Sequence, residues 1–315
     1  MRKCLYCYQR LAETEQGDYH ARCSKAFFGN AVAPLLPYRF DELETLAREA
    51  VELSITVPGV QPKLSLGWIR TTLADGHLGR LTILDALDGK YILKPQNKQY
   101  TQMPENEQLS MQLAALFKID VVPSSLIRLA SGELCYISKR IDRTRDGTKI
   151  HMIDFLQILE LDNKYLGTME QLGKVIGELS ANTQFDRLRF FELTVFNYII
   201  GNNDMHLKNF SMWRTDWGWS LSPAYDLLNV RIVLPKDQDD TALLLGGKKK
   251  NFNRNYFNQL GAVLKLNEKQ IGAVYNKLLN WLPAALQRIE DSFLSDENKN
   301  AYRQLISQRT ELFVG

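Results

Sequence analysis

A polar segment directly follows an apolar run that has the composition of a buried helix end. The apolar run covers 196–200, and the segment at 201–210 reads GNNDMHLKNF. Six of its ten residues are polar or ionisable, which is more than the capping of a helix end requires. Asp204 and Asn209 are spaced as phosphoryl transfer requires, with a carboxylate for the proton of the attacking hydroxyl and, five residues later, an amide oxygen for a magnesium ion. Lys208 would neutralise charge on the transferred group, and His206 would orient the loop.

A second carboxylate, Asp226, follows seventeen residues after Asn209. It closes the sequence SPAYD at 222–226, after a short aromatic hairpin predicted over 213–221. A second magnesium ligand is expected on such a strand pair after a catalytic loop. The alternative is a turn aspartate that caps the next helix. We predict that Asp204 and Asp226 are exposed loop carboxylates.

Two further segments could contact a nucleotide. The segment SITVPGVQPK at 54–63 has one glycine between two prolines, so its glycine content does not indicate a phosphate-binding loop, but it lies where a loop over a nucleotide belongs. Lys94 ends the apolar stretch YILK, and is either a snorkelling residue at a sheet edge or an ammonium for phosphate. Glu107 is the candidate for its ion-pair partner, and Glu105 is the rival.

The elements that must position these residues change in character along the chain. Apolar spacing predicts an amphipathic helix over 41–51. Asp-Gly turn signals then predict an antiparallel meander, followed by a helix over 105–117 and two more strands. The predicted strands cover 63–69, 81–85, 90–94, 125–129 and 134–138. Helical patterns dominate over 154–198 and from 257 onward, and 235–255 is predicted as an exposed loop or hairpin.

Three of the four cysteines lie near the start of the sequence, close to a histidine. The set is Cys4, Cys7, His20 and Cys23. Two pairs of such ligands could close a tetrahedral structural zinc site, although the turns lack the glycine that zinc turns often use. The alternative is a reduced extension whose thiols pack as small hydrophobic groups.

Composition excludes several classes of protein. The chain has 315 residues, 45% of them hydrophobic, which is enough for a folded protein of two domains or lobes. The formal net charge of +3 is too small for a protein that binds the DNA backbone along its whole length. No apolar run is long enough to span a membrane, the start has no secretory signal, and the cysteines are too few for a disulfide scaffold, so we expect a cytoplasmic protein.

Taken together, these motifs resemble the HipA family of serine/threonine kinases, the toxins of bacterial toxin–antitoxin systems. The matching stretches, in family order, are 57–66, 91–95, 105–114, 138–143, 201–210 and 221–228. The resemblance implies an α+β, bilobal, protein-kinase-like fold with a small antiparallel-sheet N-lobe and a mostly helical C-lobe. The expected division is an N-terminal Cys/His extension over 1–37, an N-lobe over 38–143 and a C-lobe over 144–315.

The resemblance also implies cofactors and residue roles. It implies ATP and Mg²⁺, with Asp204 as catalytic base and Asn209 and Asp226 as Mg²⁺ ligands, beside His206 and Lys208 in the same motif. The residues implied to bind the nucleotide are Lys94, Val57, Gly59, Gln61, Lys63, Glu107, Lys139, Arg140 and Ile141, the last three forming the hinge beside adenine. Family substrates include aminoacyl-tRNA synthetases.

The short stretch before the first predicted helix resembles HipT, the kinase of three-component systems. This implies a HipS-like small antitoxin and a HipB-like helix-turn-helix protein as partners, the latter making the DNA contact. Ser54 and Thr56 align with the acceptor region of the family, which implies control by autophosphorylation. Two alternatives remain: a small-molecule kinase of the aminoglycoside or choline type, and a catalytically silent corepressor subunit.

Overall fold

The structure, a computed structural model, describes residues 2–43, 45, 63–72, 78–83, 89–144 and 146–314. The α-helices with described bounds are α1 (Ala21–Phe28), α2 (Met103–Leu116), α3 (Phe155–Ile158), α4 (Met169–Leu179), α5 (Thr183–Ile200), α6 (Val230–Val233), α7 (Arg254–Val263), α8 (Glu268–Asp291) and α9 (Asp296–Glu311), and Leu207–Asn209 form a short 3-10 helix. The strands are β1 (Leu64–Thr72), β2 (Leu78–Ile83), β3 (Tyr91–Lys94), β4 (Ser124–Arg128), β5 (Leu134–Lys139), β6 (Met152–Asp154), β7 (Ser211–Thr215) and β8 (Gly218–Leu221). This composition confirms the predicted α+β class.

The chain divides into two compact units. Unit 1 contains 1–108, 122–148 and 291–293, and unit 2 contains 109–121, 149–290 and 294–315. Each is described separately below. No helix within the described residues is long and apolar enough to cross a membrane.

Unit 1 is built on a five-stranded antiparallel sheet in the order β2-β1-β3-β5-β4. The strands predicted from hydrophobic patterning are present, but their order is not that of a meander. β3 pairs with β1 through the register Leu64↔Leu93, which leaves β2 at the edge of the sheet. The prediction was wrong because turn signals identify chain reversals without specifying which neighbour the returning strand joins. β3 and β5 lie inside the sheet, so most of their side chains are buried.

Unit 2 combines a three-stranded sheet, β6-β7-β8, with most of the helices. The buried half of α5 lies at its centre. Phe196 on α5 packs against Phe117 and Trp281, with ring centroids 5.7 and 5.8 Å apart. The indole N–H of Trp281 donates to the backbone oxygen of Leu113 over 3.0 Å, which satisfies its buried polar atom. This core fixes the end of α5, from which the 201–210 segment leaves.

The prediction of an exposed loop over 235–255 was wrong in its burial. The segment has little regular structure, but its middle is buried, including Leu243, Leu245 and Phe252. Asp240 within it forms an ion pair with Arg309 on α9. The polar composition of the segment concealed these apolar anchors. Of the helix predicted over 41–51, residues 40–43 and 45 are helical, and the remainder lies outside the described residues.

Candidate functional site

The 201–210 segment begins where α5 ends, and Gly201 makes the change of direction. Its φ of +75° is a left-handed conformation that residues with a Cβ rarely adopt. A Cβ here would also meet Leu305 Cδ2 at 2.6 Å and Arg231 Cγ at 3.0 Å. Both backbone conformation and space therefore require glycine, which fixes the direction in which the loop leaves the helix.

The loop is anchored by its own asparagines. Asn202 Nδ2 donates to Asn197 Oδ1 over 2.8 Å, and Asn203 Nδ2 donates to the backbone oxygen of Asp239 over 2.9 Å. Both loop asparagines are buried. The second bond gives the 235–255 segment a role in holding the loop, which the sequence did not indicate.

Asp204 is half-buried rather than exposed, so that part of the prediction was wrong. The hydroxyl of Tyr165 donates to Asp204 Oδ1 over 2.9 Å. The backbone N–H of His206 donates to the backbone oxygen of Asp204 over 2.8 Å and tightens the turn. Burial, together with the carboxylate of Asp204, raises the pKa of Tyr165 to about 12, so its hydroxyl keeps its proton and remains a donor. The candidate base thus already accepts a hydroxyl proton in a hydrogen bond.

His206 is buried beside this carboxylate. Burial lowers the pKa of His206, against the opposing effect of Asp204 and Asp226. Lys164 lowers it further, so the ring is neutral at neutral pH. Nδ1 of His206 has no hydrogen-bond partner within the described part of the chain, and the ring packs edge-on to Tyr165 with centroids 5.4 Å apart.

Asn209 has its amide orientation fixed by the loop itself. Its Nδ2 donates to the backbone oxygen of Asp204 over 3.0 Å. The backbone oxygen of Asp204 can only accept a hydrogen bond, so the side-chain atom of Asn209 that faces it must be the amide nitrogen. Oδ1 of Asn209 is therefore the atom left for a cation. Lys208, the preceding residue, is half-buried.

Asp226 is tied to the same loop through its neighbour. The hydroxyl of Tyr225 donates to the backbone oxygen of Lys208 over 3.0 Å and lies 2.5 Å from Ser211 Oγ. Asp226 itself is half-buried, not exposed as predicted, and has a φ of +60°. Such a conformation is uncommon for a residue with a side chain, and strained backbone of this kind clusters at functional sites.

The alternative that Asp226 caps the next helix is wrong. Asn229 fills that position, and its side chain accepts a hydrogen bond from the backbone N–H of Ile232 at the start of α6. The carboxylate of Asp226 is therefore not the cap of α6, which leaves the metal-ligand interpretation in place.

Two residues that the sequence analysis missed hold the strand that leads to Asp226. Asp186 on α5 has a fully buried side chain that accepts from the hydroxyls of Ser180 and Ser220 and from the N–H of Leu221. Arg189, one turn later, donates to the backbone oxygen of Leu221 over 2.7 Å and forms an ion pair with Asp186. The only signal in the sequence was the i,i+3 spacing of opposite charges on a helix.

In unit 1, the structure pairs Lys94 with Glu107. Lys94 Nζ lies 2.6 Å from Glu107 Oε1, with side chains 5% and 4% exposed. Glu105 instead accepts from Gln96, and burial raises its pKa. Lys94 is therefore not a snorkelling edge residue, because β3 is an inner strand and the ammonium is buried.

The predicted hinge residues follow on β5. The backbone N–H of Lys139 donates to Pro123 and that of Arg140 donates to Lys90, each over 2.9 Å. These two donors are occupied, so an adenine base would use other groups of this segment, such as those of Ile141. The Arg140 guanidinium forms two hydrogen bonds to the carboxylate of Asp142.

Of the residues predicted in the nucleotide-covering loop, only Lys63 is among those that the structure describes. Lys63 is half-buried and immediately precedes β1. The others lie outside the described residues: Ser54, Thr56, Val57, Gly59 and Gln61.

The oxygen set in unit 2 fits a magnesium ion in its chemistry. An amide oxygen of fixed orientation from Asn209 and a carboxylate from Asp226 are hard ligands, of the kind with which proteins hold Mg²⁺ alongside substrate phosphates. In unit 1, the Cys/His set is also brought together: the ligand atoms of Cys4, Cys7, His20 and Cys23 all lie within 4.8 Å of one another.

Residues 55–286 match the family model of the HipA-like C-terminal domain. A putative kinase, Y4dM, of Sinorhizobium fredii is 33% identical over 249 residues, covering 73% of this chain and 59% of that protein. The serine/threonine-protein kinase toxin HipA of Shewanella oneidensis is 24% identical over 200 residues, covering 56% of this chain and 43% of that protein. The chain spans less than two thirds of the length of these curated relatives.

Two solved structures share the fold. HipA in the HipA, HipB and operator DNA complex of Shewanella oneidensis matches with a TM-score of 0.66 at 18% identity, covering 89% of this chain and 71% of that one. The proinflammatory kinase CtkA of Helicobacter pylori matches with a TM-score of 0.53 at 14% identity, covering 70% of this chain and 86% of that one. The predicted HipA-like, kinase-like fold is confirmed.

Proposed function

The chain belongs to the family of HipA-like C-terminal domains, and on that basis we propose that it is an ATP-dependent serine/threonine protein kinase. The observation that carries the proposal is the loop after Gly201, where the half-buried Asp204 accepts a hydroxyl group and the amide oxygen of Asn209 is free for a cation. The names of the relatives, putative kinases and a kinase toxin, support the same activity.

In the proposed reaction, Asp204 orients the acceptor hydroxyl and takes its proton. The bond from the γ-phosphorus to the oxygen of the substrate hydroxyl forms as the bond to the β,γ-bridging oxygen of ATP breaks, and ADP leaves. Asn209 and Asp226 would hold Mg²⁺, which neutralises negative charge on the phosphates. Lys94, kept in place by Glu107, would contact the phosphates, and Lys208 would balance charge on the transferred group.

Tyr165 supports a hydroxyl as the acceptor. Its O–H makes with Asp204 the hydrogen bond that a substrate serine or threonine would make, over an ordinary distance of 2.9 Å. An entering hydroxyl would replace it at the same oxygen. The neutral ring of His206 beside this carboxylate leaves the negative charge of Asp204 uncompensated by an imidazolium, which favours its action as a base.

The toxin role belongs to the same proposal. Similarity to HipA of Shewanella oneidensis supports a toxin of a toxin–antitoxin system. We further propose that this toxin is of the HipT-like type and acts in the cytoplasm. We propose an aminoacyl-tRNA synthetase or another translation protein as substrate, and autophosphorylation at Ser54 or Thr56 as control. HipB-like and HipS-like proteins are the proposed partners, the first by analogy with the HipA–HipB–DNA complex.

Phosphoproteomics of a bacterial lysate tests the activity and its substrate together. The purified chain is added with magnesium ATP, and phosphopeptides are compared among wild type, Asp204→Asn and a matched control, Asp216→Asn, in the exposed turn between β7 and β8. Serine or threonine sites that appear with wild type and Asp216→Asn, but not with Asp204→Asn, are expected. The same new phosphosites with all three proteins, or no new phosphosites with any of them, would refute the proposed kinase activity.

A further inference from the structure

Residues 2–28 of unit 1 contain a ligand cluster that the proposed phosphoryl transfer does not use. Three thiols and one imidazole converge there, from Cys4, Cys7, Cys23 and His20. His20 Nδ1 lies 3.4 Å from Cys7 Sγ and 3.8 Å from Cys23 Sγ. A tetrahedral zinc ion with usual bond lengths separates a sulfur and a nitrogen ligand by about 3.5 Å. The cysteines are free thiols, so the cluster is not a disulfide.

The histidine has the orientation of a metal ligand. Its Nε2 lies 3.0 Å from the backbone oxygen of Arg10, which can only accept, so Nε2 carries the proton and Nδ1 presents its lone pair to the thiols. Ligating histidines usually donate their other ring N–H to a carbonyl or carboxylate in this way. His20 occupies the N-cap position of α1, yet its side chain makes no capping bond, since the ring is turned to the cysteines.

The backbone closes two tight turns around the cluster. The N–H of Tyr8 donates to the backbone oxygen of Cys4, and the N–H of Cys23 to that of His20, each over 2.9 Å. Tyr8 has a φ of +64°, so it adopts the left-handed backbone conformation that a glycine often supplies in zinc turns. A bulky residue adopts such a conformation only where its surroundings impose it.

We propose that Cys4, Cys7, His20 and Cys23 bind one structural Zn²⁺, with the thiols as thiolates that release their protons to solvent on binding. All four protein ligands are present, so no position is left for a catalytic water, and the ion has a structural role. The fourth cysteine of the chain, Cys135 on β5, is not part of the site.

The zinc module, defined as residues 2–28, is attached to the sheet that carries Lys94. The N–H of Leu126 on edge strand β4 donates to the backbone oxygen of Leu5 over 3.3 Å, and Arg128 on the same strand pairs with Asp18 at 3.0 Å. The module thus covers an unpaired sheet edge.

A second attachment is aromatic. The rings of Phe27 and Phe28 pack on Tyr91 with centroids 5.9 and 6.1 Å apart, and Tyr91 begins the strand that ends at Lys94. The site therefore connects metal binding to the stability of the sheet in unit 1.

Metal analysis of the full chain, purified under reducing conditions without chelator, tests the proposal. Inductively coupled plasma mass spectrometry is expected to find one zinc per chain in wild type. Cys7→Ala should lose this zinc, and the matched thiol control Cys135→Ala should retain it. His20→Cys should keep a metal, and its Co²⁺ form should show a tetrahedral spectrum shifted toward four sulfur ligands, whereas His20→Ala should bind weakly. These spectra report the ligands even if a variant is unstable.

Opposite results would overturn the proposal. These are wild-type protein without zinc and without a tetrahedral Co²⁺ spectrum, iron in place of zinc, or zinc unaffected by both Cys7→Ala and His20→Ala. The structural role has its own readout: removal of zinc with a chelator should lower the thermal midpoint of wild type and of Cys135→Ala, but not that of Cys7→Ala. An unchanged midpoint after complete removal would refute that role.

Discussion

The hydroxyl of Tyr165 already occupies one oxygen of the candidate base, Asp204, and would compete there with a substrate hydroxyl. In the structure the phenol donates to one carboxylate oxygen, and in the proposed reaction the substrate hydroxyl would have to displace it from that oxygen. Tyr165 lies thirty-nine residues before Asp204, in a segment without a recognisable motif, so no spacing rule could have identified it. Asp204, Asn209 and Asp226 could be identified because the chemistry demands particular groups in a short interval.

We expect Tyr165→Phe to raise kcat/KM for the protein substrate. In wild type the substrate hydroxyl must displace the Tyr165 hydroxyl from Asp204, and this partly exposed hydrogen bond is worth about 1 kcal/mol. Its removal should therefore raise kcat/KM about fivefold. Tyr256→Phe, on α7, is the matched control for the loss of a tyrosine hydroxyl and should have no effect. Steady-state kinetics measure both, and an activity of Tyr165→Phe as low as that of Asp204→Asn would show that the phenol takes part in the chemistry.

The buried pair of Lys94 and Glu107 gives a second prediction at this scale. Glu107→Gln leaves a buried ammonium without its counter-charge, and breaking such a pair costs about 3–5 kcal/mol of folding stability. Glu105→Gln should cost far less, because burial already raises the pKa of that carboxyl and Gln96 is its hydrogen-bond partner. Urea unfolding measures the loss of folding stability in each variant, and calorimetry measures whether each still binds ATP. Equal losses in the two variants would contradict the assigned pairing.

The sequence analysis named Glu107 as the partner of Lys94 and Glu105 as the rival, and the structure pairs Lys94 with Glu107. Residues two apart on a helix point to nearly opposite sides, and which of them faces β3 depends on the rotation of α2 about its axis, which is set by packing. Local patterns identify which residues are candidates. Tertiary packing decides between them.

At the scale of elements, α5 positions both the 201–210 segment and the strand that leads to Asp226. Gly201, Asp186 and Arg189 all lie on α5 or at its cap, and they hold both the 201–210 segment and the strand before Asp226. The hydrophobic pattern predicted this helix, the hairpin of β7 and β8 and most strands of unit 1. It failed on the pairing order of β1 to β3 and on the burial of 235–255, because both depend on contacts distant in sequence.

Gly201→Ala should destabilise unit 2 and displace the loop. A left-handed alanine costs about 1–2 kcal/mol, and the contact of its Cβ with Leu305 adds about 1–3 kcal/mol of overpacking. Gly29→Ala is the matched control, since Gly29 caps α1 with a φ of +84° but a Cβ there meets nothing within 4 Å.

Thermal unfolding and phosphorylation rates separate the two glycine variants. Gly29→Ala should show only the conformational cost and keep its activity, whereas Gly201→Ala should lose stability and activity. Normal activity of Gly201→Ala would mean that the loop does not depend on the end of α5.

At the scale of the whole molecule, charge limits what the chain does alone. A net charge of +3 over 315 residues supplies no concentrated positive field for DNA. In the proposed toxin–antitoxin complex, the DNA contact therefore falls to the HipB-like partner; the solved structure of a protein of the same fold contains HipA, HipB and operator DNA.

We therefore expect the purified chain to leave operator DNA unshifted in a gel at physiological salt, and to join the DNA complex only when the proposed HipB-like partner is added. Asp204→Asn should join equally well, because partner binding does not need phosphoryl transfer. Tight DNA binding by the chain alone, or no complex at micromolar concentrations, would contradict the proposed partnership.

The central claim is phosphoryl transfer from ATP by the loop that contains Asp204. The most direct measurement uses ATP radiolabelled at the γ-phosphate, with purified wild type, Asp204→Asn, Asp226→Asn and Asp216→Asn, and counts label bound to protein in the presence of lysate. We predict label on protein serine or threonine with wild type and Asp216→Asn, and none above background with the other two, although Asp204→Asn still binds nucleotide. Label transferred equally by Asp204→Asn, or no transfer by wild type, would contradict the account.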